Sequence, residues 1–134
     1  FNANDQFLFG EKIIQNDDHL KLIKDSLNVA TNEWRGTSYR SRLKGDLKYC
    51  GKTGTSQVRK ITQEQRDLNI KNKDLPWKYR DHSLFTGYGP VSNPEYAVSV
   101  IIDHGGSGSS KAAPISKKIM RKVFELYYQK EKNV

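Results

Sequence analysis

A lysine, two hydroxyls and a bare glycine stand together at Lys52-Thr53-Gly54-Thr55, inside a longer run from Leu47 to Val58 whose ends suit a β-strand. Successive side chains on a strand alternate faces, which puts Lys52 and Gly54 on one side and Thr53 and Thr55 on the other. One face then offers a fixed cation beside a gap that another backbone can approach closely. The other offers two short hydroxyl donors suited to a carboxylate. These are the parts of an anion-recognising strand lining a cleft.

Other matches fall on unsuitable ground. Ser41-Arg42-Leu43-Lys44 has S-x-x-K spacing, with a lysine base one helical turn from a serine, but it lies in a polar connection flanked by Gly36 and Gly45. Ser26-Leu27-Asn28 has S-x-N spacing inside an amphipathic helix. Gly51-Lys52-Thr53 invites a phosphate-binding loop, yet that motif needs glycine where Asp46 stands, and Gly54-Thr55-Ser56 replaces the helix that should follow. His82 and His104 have no cysteine or carboxylate partners at metal-ligand spacing, so they read as structural; no metal and no cofactor is expected.

The surrounding pattern says what positions the strand. Asn16-Asp17-Asp18 supply N-cap chemistry for a helix over about 18–30, with Leu20, Ile23, Leu27 and Ala30 as its buried stripe. A strand over about 47–58 follows a polar connection. Residues 59–80 form a long polar loop, broken at Pro76-Trp77, with Trp77 and Tyr79 as packing anchors. Strands over about 82–88 and 96–102 are joined by a turn containing Gly89-Pro90 and Asn93-Pro94. In the second, Tyr96, Val98, Val100 and Ile102 share one apolar face. A C-terminal helix over about 112–129 has Pro114 in its first turn and Ile115, Ile119, Met120, Val123, Phe124 and Tyr127 as its expected buried stripe. The fold class is α+β: an antiparallel meander covered by helices.

With 134 residues, one domain is the expectation. Setting the seven tyrosines aside and adding the ten glycines brings the apolar share to about 37%, against roughly 45–50% for ordinary globular chains. Either part of the chain is disordered or its core is completed by sequence not present, and the start at Phe1 instead of a methionine fits the second. The net charge of +8 raises nucleic acid as a partner. Bases and acids alternate through 59–81, however, as in a solvated loop, and nucleic acid is not expected. A lone cysteine, Cys50, excludes an internal disulfide. No apolar run approaches a membrane span of about 18 residues.

Lys52-Thr53-Gly54-Thr55 resembles the K-T-G element that accompanies S-x-x-K and S-x-N in penicillin-binding proteins and serine β-lactamases. The run from Arg80 to Pro90 resembles the strand after K-T-G in class B penicillin-binding proteins, and Pro94 to Asp103 resembles the next strand. Gly105-Gly106 with Ala112-Ala113-Pro114 resembles the turn into the last helix. The Arg80-Asp81-His82 lead-in is similar to the elongation type, the penicillin-binding protein 2 group.

The resemblance implies that residues 1–134 are the C-terminal part of one transpeptidase domain and hold the last three strands of its five-stranded sheet. It implies a peptidoglycan D,D-transpeptidase that works through a serine acyl-enzyme and binds penicillin. The family order is S-x-x-K, then S-x-N, then K-T-G, far apart; here the first two are reversed and crowded. Ser41 and Ser26 are therefore declined, and the nucleophile is expected upstream of Phe1. By the same resemblance Lys52 supplies positive potential, and the N–H of Thr55 is an oxyanion donor. The hydroxyls of Thr53 and Thr55 take the substrate carboxylate, and Gly54 leaves room for the nucleophile's helix. The implied partners are the D-Ala-D-Ala stem peptide, β-lactam antibiotics and a membrane glycosyltransferase of the elongation machinery. The implied place is the bacterial inner membrane, with the catalytic domain in the periplasm. The alternatives are a non-catalytic anion- or peptide-binding scaffold and a basic nucleic-acid binder.

Overall fold

The computed structural model describes residues 13–45, 47–68 and 70–127. One antiparallel sheet runs in the order β1 (Cys50–Ser56), β2 (His82–Gly89) and β3 (Tyr96–Ile102). Helix α1 (Asp17–Asn32) packs on β1, and helix α3 (Ala112–Tyr127) on β2 and β3. The first strand is shorter at both ends than the 47–58 expected. The α1 helix is slightly longer than 18–30, and residues 128–129 of the expected last helix lie outside the described residues. Asn16 caps α1, its side-chain oxygen accepting from the N–H groups of Asp18 (2.8 Å) and His19 (3.3 Å).

The core face of the sheet follows from alternation along β2, where Ser83, Phe85, Gly87 and Gly89 all point inward and are buried. Gly51 of β1 is paired with Gly87. A Cβ on Gly51 would lie 2.6 Å from Phe85 Cζ, and one on Gly87 2.9 Å from Phe85 Cε1. The Phe85 ring thus occupies the space both glycines leave. Leu43, Tyr49, Val98, Ala112, Ala113, Met120 and Phe124 complete the cluster. In β3, Val98 is buried while Tyr96, Val100 and Ile102 pack partly buried against it, as the alternation predicts.

Each helix departs from its expected stripe only in part: Leu20, Leu27 and Ala30 of α1 are partly buried, and Met120, Val123 and Phe124 of α3 face the core, as expected. On α3 the buried residues are Ala112, Ala113, Ser116, Met120 and Phe124, whereas Ile115 and Ile119 are 41% and 42% exposed. Small side chains at the start of α3 let the helix lie close to the sheet, and that contact fixes its rotation. Tyr127 is more than half exposed, although its ring meets Tyr96 at 5.7 Å. On α1, Ile23 is also exposed, and only Thr31 is buried.

The connection from β1 to β2 is shaped, not structureless. It contains α2 (Gln63–Asp67) and 3-10 turns at Asn72–Asp74 and Trp77–Tyr79. No strand pairs with the outer edge of β3 among the described residues. Phe7-Leu8-Phe9, an apolar stretch that the sequence offers as a cover for that edge, lies outside the described residues.

Candidate functional site

The geometry of β1 is set from its outer edge. Thr31 Oγ1, at the end of α1, accepts from the Gly51 N–H and donates to the Gly51 carbonyl, both at 3.0 Å. Asn32 Nδ2 donates to the Tyr49 carbonyl at 3.1 Å. In an antiparallel ladder, backbone groups turn alternately toward the partner strand and away from it. With Gly51 facing away from β2, Thr53 and Thr55 face away as well, while Cys50, Lys52, Gly54 and Ser56 bond to β2. The Thr55 N–H and Thr53 C=O therefore lie along the open edge.

All the residues expected at the site are brought together here. Lys52 and Gly54 share one face, opposite Thr86 and Leu84 of β2; Thr53 and Thr55 share the other, opposite Phe85 and Ser83. Lys52 is exposed, and its Nζ donates to the Thr53 carbonyl at 2.8 Å, which draws the ammonium to the same edge as the Thr55 N–H. Thr53 Oγ1 donates to Thr37 Oγ1 at 3.2 Å. The arrangement gathers a cation, hydroxyls and an outward amide on one strand edge, a set that can hold a carboxylate and stabilise an oxyanion.

Gly54 is bare on one side and covered on the other. A Cβ there would meet only Leu84, at 3.3 Å or beyond. Behind it Gly108 lies against the strand, so close that its own Cβ would fall 2.5 Å from the carbonyl oxygens of Gly54 and Leu84. Buried Ser83 holds that turn in place, donating to the Ser107 carbonyl (3.0 Å) and accepting from the Ala112 N–H (3.1 Å). Thr31, Thr37, Ser83 and Gly108 were not legible as site residues. Only the glycine in Gly105-Gly106-Ser107-Gly108 carried a signal, as a turn former.

A second knot ties the loop to the far end of the sheet. The side chain of Asn72 accepts from the Asp81 N–H and donates to the Asp81 carboxylate. Arg80 donates to the carbonyls of Leu75 (2.9 Å) and Lys73 (3.1 Å). His104 donates its Nδ1–H to the Arg80 carbonyl (2.8 Å), and its backbone N–H to His82 Nδ1 (2.9 Å). Trp77 meets the His104 ring edge-on at 4.4 Å while staying 62% exposed. Both histidines thus link backbone segments. No group of three or more metal-ligating side chains occurs among the described residues.

The two serines declined above are placed apart from this edge. Ser41 is buried in a 3-10 turn, where its carbonyl accepts from the Tyr49 hydroxyl at 2.9 Å. Ser26 donates to the Leu22 carbonyl on the exposed side of α1. Burial pushes the Tyr49 phenol and the Cys50 thiol upward.

The family model described as "Penicillin binding protein transpeptidase domain" matches residues 11–121. The chain belongs to the penicillin-binding protein transpeptidase family. Within that family it is of the penicillin-binding protein 2 type. It is 32% identical over 104 residues to the peptidoglycan D,D-transpeptidase MrdA of Salmonella typhimurium, covering 78% of this chain and 16% of that one. It is 34% identical over 97 residues to MrdA of Haemophilus influenzae, covering 72% of this chain and 14% of that one. A penicillin-binding protein 2 from Helicobacter pylori, solved in complex with MreC, superposes with a TM-score of 0.67 at 28% identity, over 83% of this chain and 18% of that one. The chain therefore spans about a sixth of the length of the MrdA relatives it matches. No helix among the described residues is long and apolar enough to cross a membrane.

Proposed function

We propose that the chain is the C-terminal part of the transpeptidase domain of a peptidoglycan D,D-transpeptidase, with β1 as one wall of its acyl-transfer site. A serine from sequence upstream of Phe1 attacks the carbonyl between two D-alanines. The peptide bond breaks, and the terminal D-alanine leaves with a proton on its amine. An amine of a neighbouring stem peptide then attacks the acyl-enzyme to form the cross-link and free the serine. The outward Thr55 N–H receives the negative charge that develops on the carbonyl oxygen. A preorganised donor of this kind contributes about 3–4 kcal/mol to the transition state. The Lys52 ammonium adds positive potential at the same edge, and the hydroxyls of Thr53 and Thr55 receive the terminal carboxylate. β-Lactams present the same carboxylate and carbonyl, so they acylate the same serine. The stem peptide, a membrane glycosyltransferase partner and a periplasmic setting belong to this reading.

The observation that carries it is the outward turn of the Thr55 amide, beside Lys52 and set by the Thr31–Gly51 bridge. Acylation of the full-length protein with a fluorescent penicillin, followed by peptide mapping, tests it. The label is expected on a serine upstream of Phe1 that is followed three residues later by lysine. A label on Ser41 or Ser26 would overturn the assignment.

A further inference from the structure

Between Trp34–Ser41, the Ser109–Ser110 turn and the first turns of α3 lies a cavity of about 670 Å3, within the size range of small-molecule sites. Arg40, Lys117, Lys118 and Arg121 line it, and among the described residues no carboxylate does. Lys117 and Arg121 stand one helical turn apart on the same face of α3, with Arg40 supplied by the opposite wall. None of these cations makes an ion pair among the described residues, whereas Lys122, the next residue on α3 and outside the cavity, pairs with Glu125 at 3.6 Å. Like charges gathered without a counter-charge repel one another and are relieved by an anion. The remaining wall is mixed. Thr37, Ser109 and Ser110 bring hydroxyls, while Pro114 and the 68% exposed Trp34 bring apolar surface.

We propose that this cavity is a binding site for a phosphate-bearing ligand, with a phosphate or diphosphate group held by Arg40, Lys117, Lys118 and Arg121 and its apolar part against Trp34 and Pro114. Guanidinium groups match phosphate oxygens two at a time, and lysines add point charge around them. A diphosphate answers this many cations better than one carboxylate, which carries a single charge. The site does not depend on the acyl-transfer reading. It backs onto β1 through Thr37, whose hydroxyl accepts from Thr53.

The same chemistry is found in soluble phosphate esters and in phospholipid headgroups. Two probes separate them, both applied to the full-length protein: calorimetric titration with inorganic pyrophosphate, and co-sedimentation with phosphatidylglycerol vesicles set against phosphatidylcholine vesicles. Each is repeated with the charge-reversed pair Lys117→Glu/Arg121→Glu and with the control pair Lys60→Glu/Lys122→Glu, which changes net charge equally outside the cavity. The expected result is binding of at least one probe, weakened tenfold or more by the cavity pair and less than twofold by the control pair. Pyrophosphate binding alone assigns a soluble ester, and vesicle binding alone assigns a lipid headgroup. Failure of both probes, or equal losses in the two pairs, overturns the proposal and leaves general basicity as the cause. Thermal midpoints guard against misfolding, and the milder Lys117→Gln/Arg121→Gln pair, with Lys60→Gln/Lys122→Gln as its equal-charge control, replaces the cavity pair if its midpoint falls.

Discussion

Thr31 Oγ1 and the backbone of Gly51 form a two-way bridge, accepting at 3.0 Å and donating at 3.0 Å, across 20 residues of sequence. One hydroxyl thereby satisfies both outward groups of a buried strand residue, and it fixes which amides of β1 face the open edge. Thr31→Val keeps the shape and removes the hydroxyl, leaving a buried N–H and C=O unpaired. The expected loss is about 1–3 kcal/mol in a denaturant titration, with faster hydrogen exchange at Gly51. Thr31→Ser should restore most of both.

Two glycines on opposite sides of the same strand should behave oppositely. Gly108→Ala forces a Cβ to 2.5 Å from two carbonyl oxygens, and a loss of about 3 kcal/mol is expected. Gly54→Ala meets only Leu84 at 3.3 Å, so stability should change by less than about 1 kcal/mol. In the full-length protein the same Gly54→Ala change should still suppress β-lactam acylation if, as proposed for this site, the nucleophile's helix closes against that face. Comparing thermal midpoints with acylation rates checks both statements.

Asn72 can be removed without touching the sheet. Asn72→Ala deletes both hydrogen bonds to Asp81, and a cost of about 1–2 kcal/mol is expected. Hydrogen exchange should quicken over 73–80 and stay unchanged in β2. An equal rise along β2 would show that the knot supports the whole sheet.

Alkali should act in part through Tyr49, alongside Tyr88 and Cys50, which burial also pushes up. The Tyr49 phenol is pushed up by burial, so the folded state holds its proton at pH values where the unfolded chain, titrating near 10, has lost it. Its contribution to stability is complete below about pH 10 and declines above, by about 1.4 kcal/mol per pH unit. Tyr49→Phe should flatten that decline in a series of urea titrations from pH 9 to 11. An unchanged slope would assign the effect elsewhere.

Much of this was legible in the chain itself. Alternation placed β2 and β3 to within a residue, and Asn16 announced the start of α1. Lys52, Thr53, Gly54 and Thr55 fall on the faces their spacing required. Helix rotation was harder to read. The expected α3 stripe holds at Met120, Val123 and Phe124, but at the start of the helix a stripe through Ile115 and Ile119 and one through Ala112 and Ser116 both fit a helical period. Depth of approach, which depends on the facing sheet, decided for the smaller residues. The roles of Thr31, Thr37 and Ser83 arise from tertiary contacts across 16 to 29 residues of sequence, which no local pattern encodes.

The central claim is that β1 is the anion-binding wall of an acyl-transfer site, with Lys52 as its cation. It is tested most directly by measuring penicillin acylation and the thermal midpoint of the full-length Lys52→Ala protein side by side. Lys52 is exposed and its ammonium bonds to the neighbouring Thr53 carbonyl, so the midpoint should stay within about 2 °C, the shift of a few tenths of a kcal/mol. Acylation should fall at least a hundredfold, the order of effect of one electrostatic group in such a site. Acylation at the wild-type rate with a lowered midpoint would contradict the account and make Lys52 a structural residue.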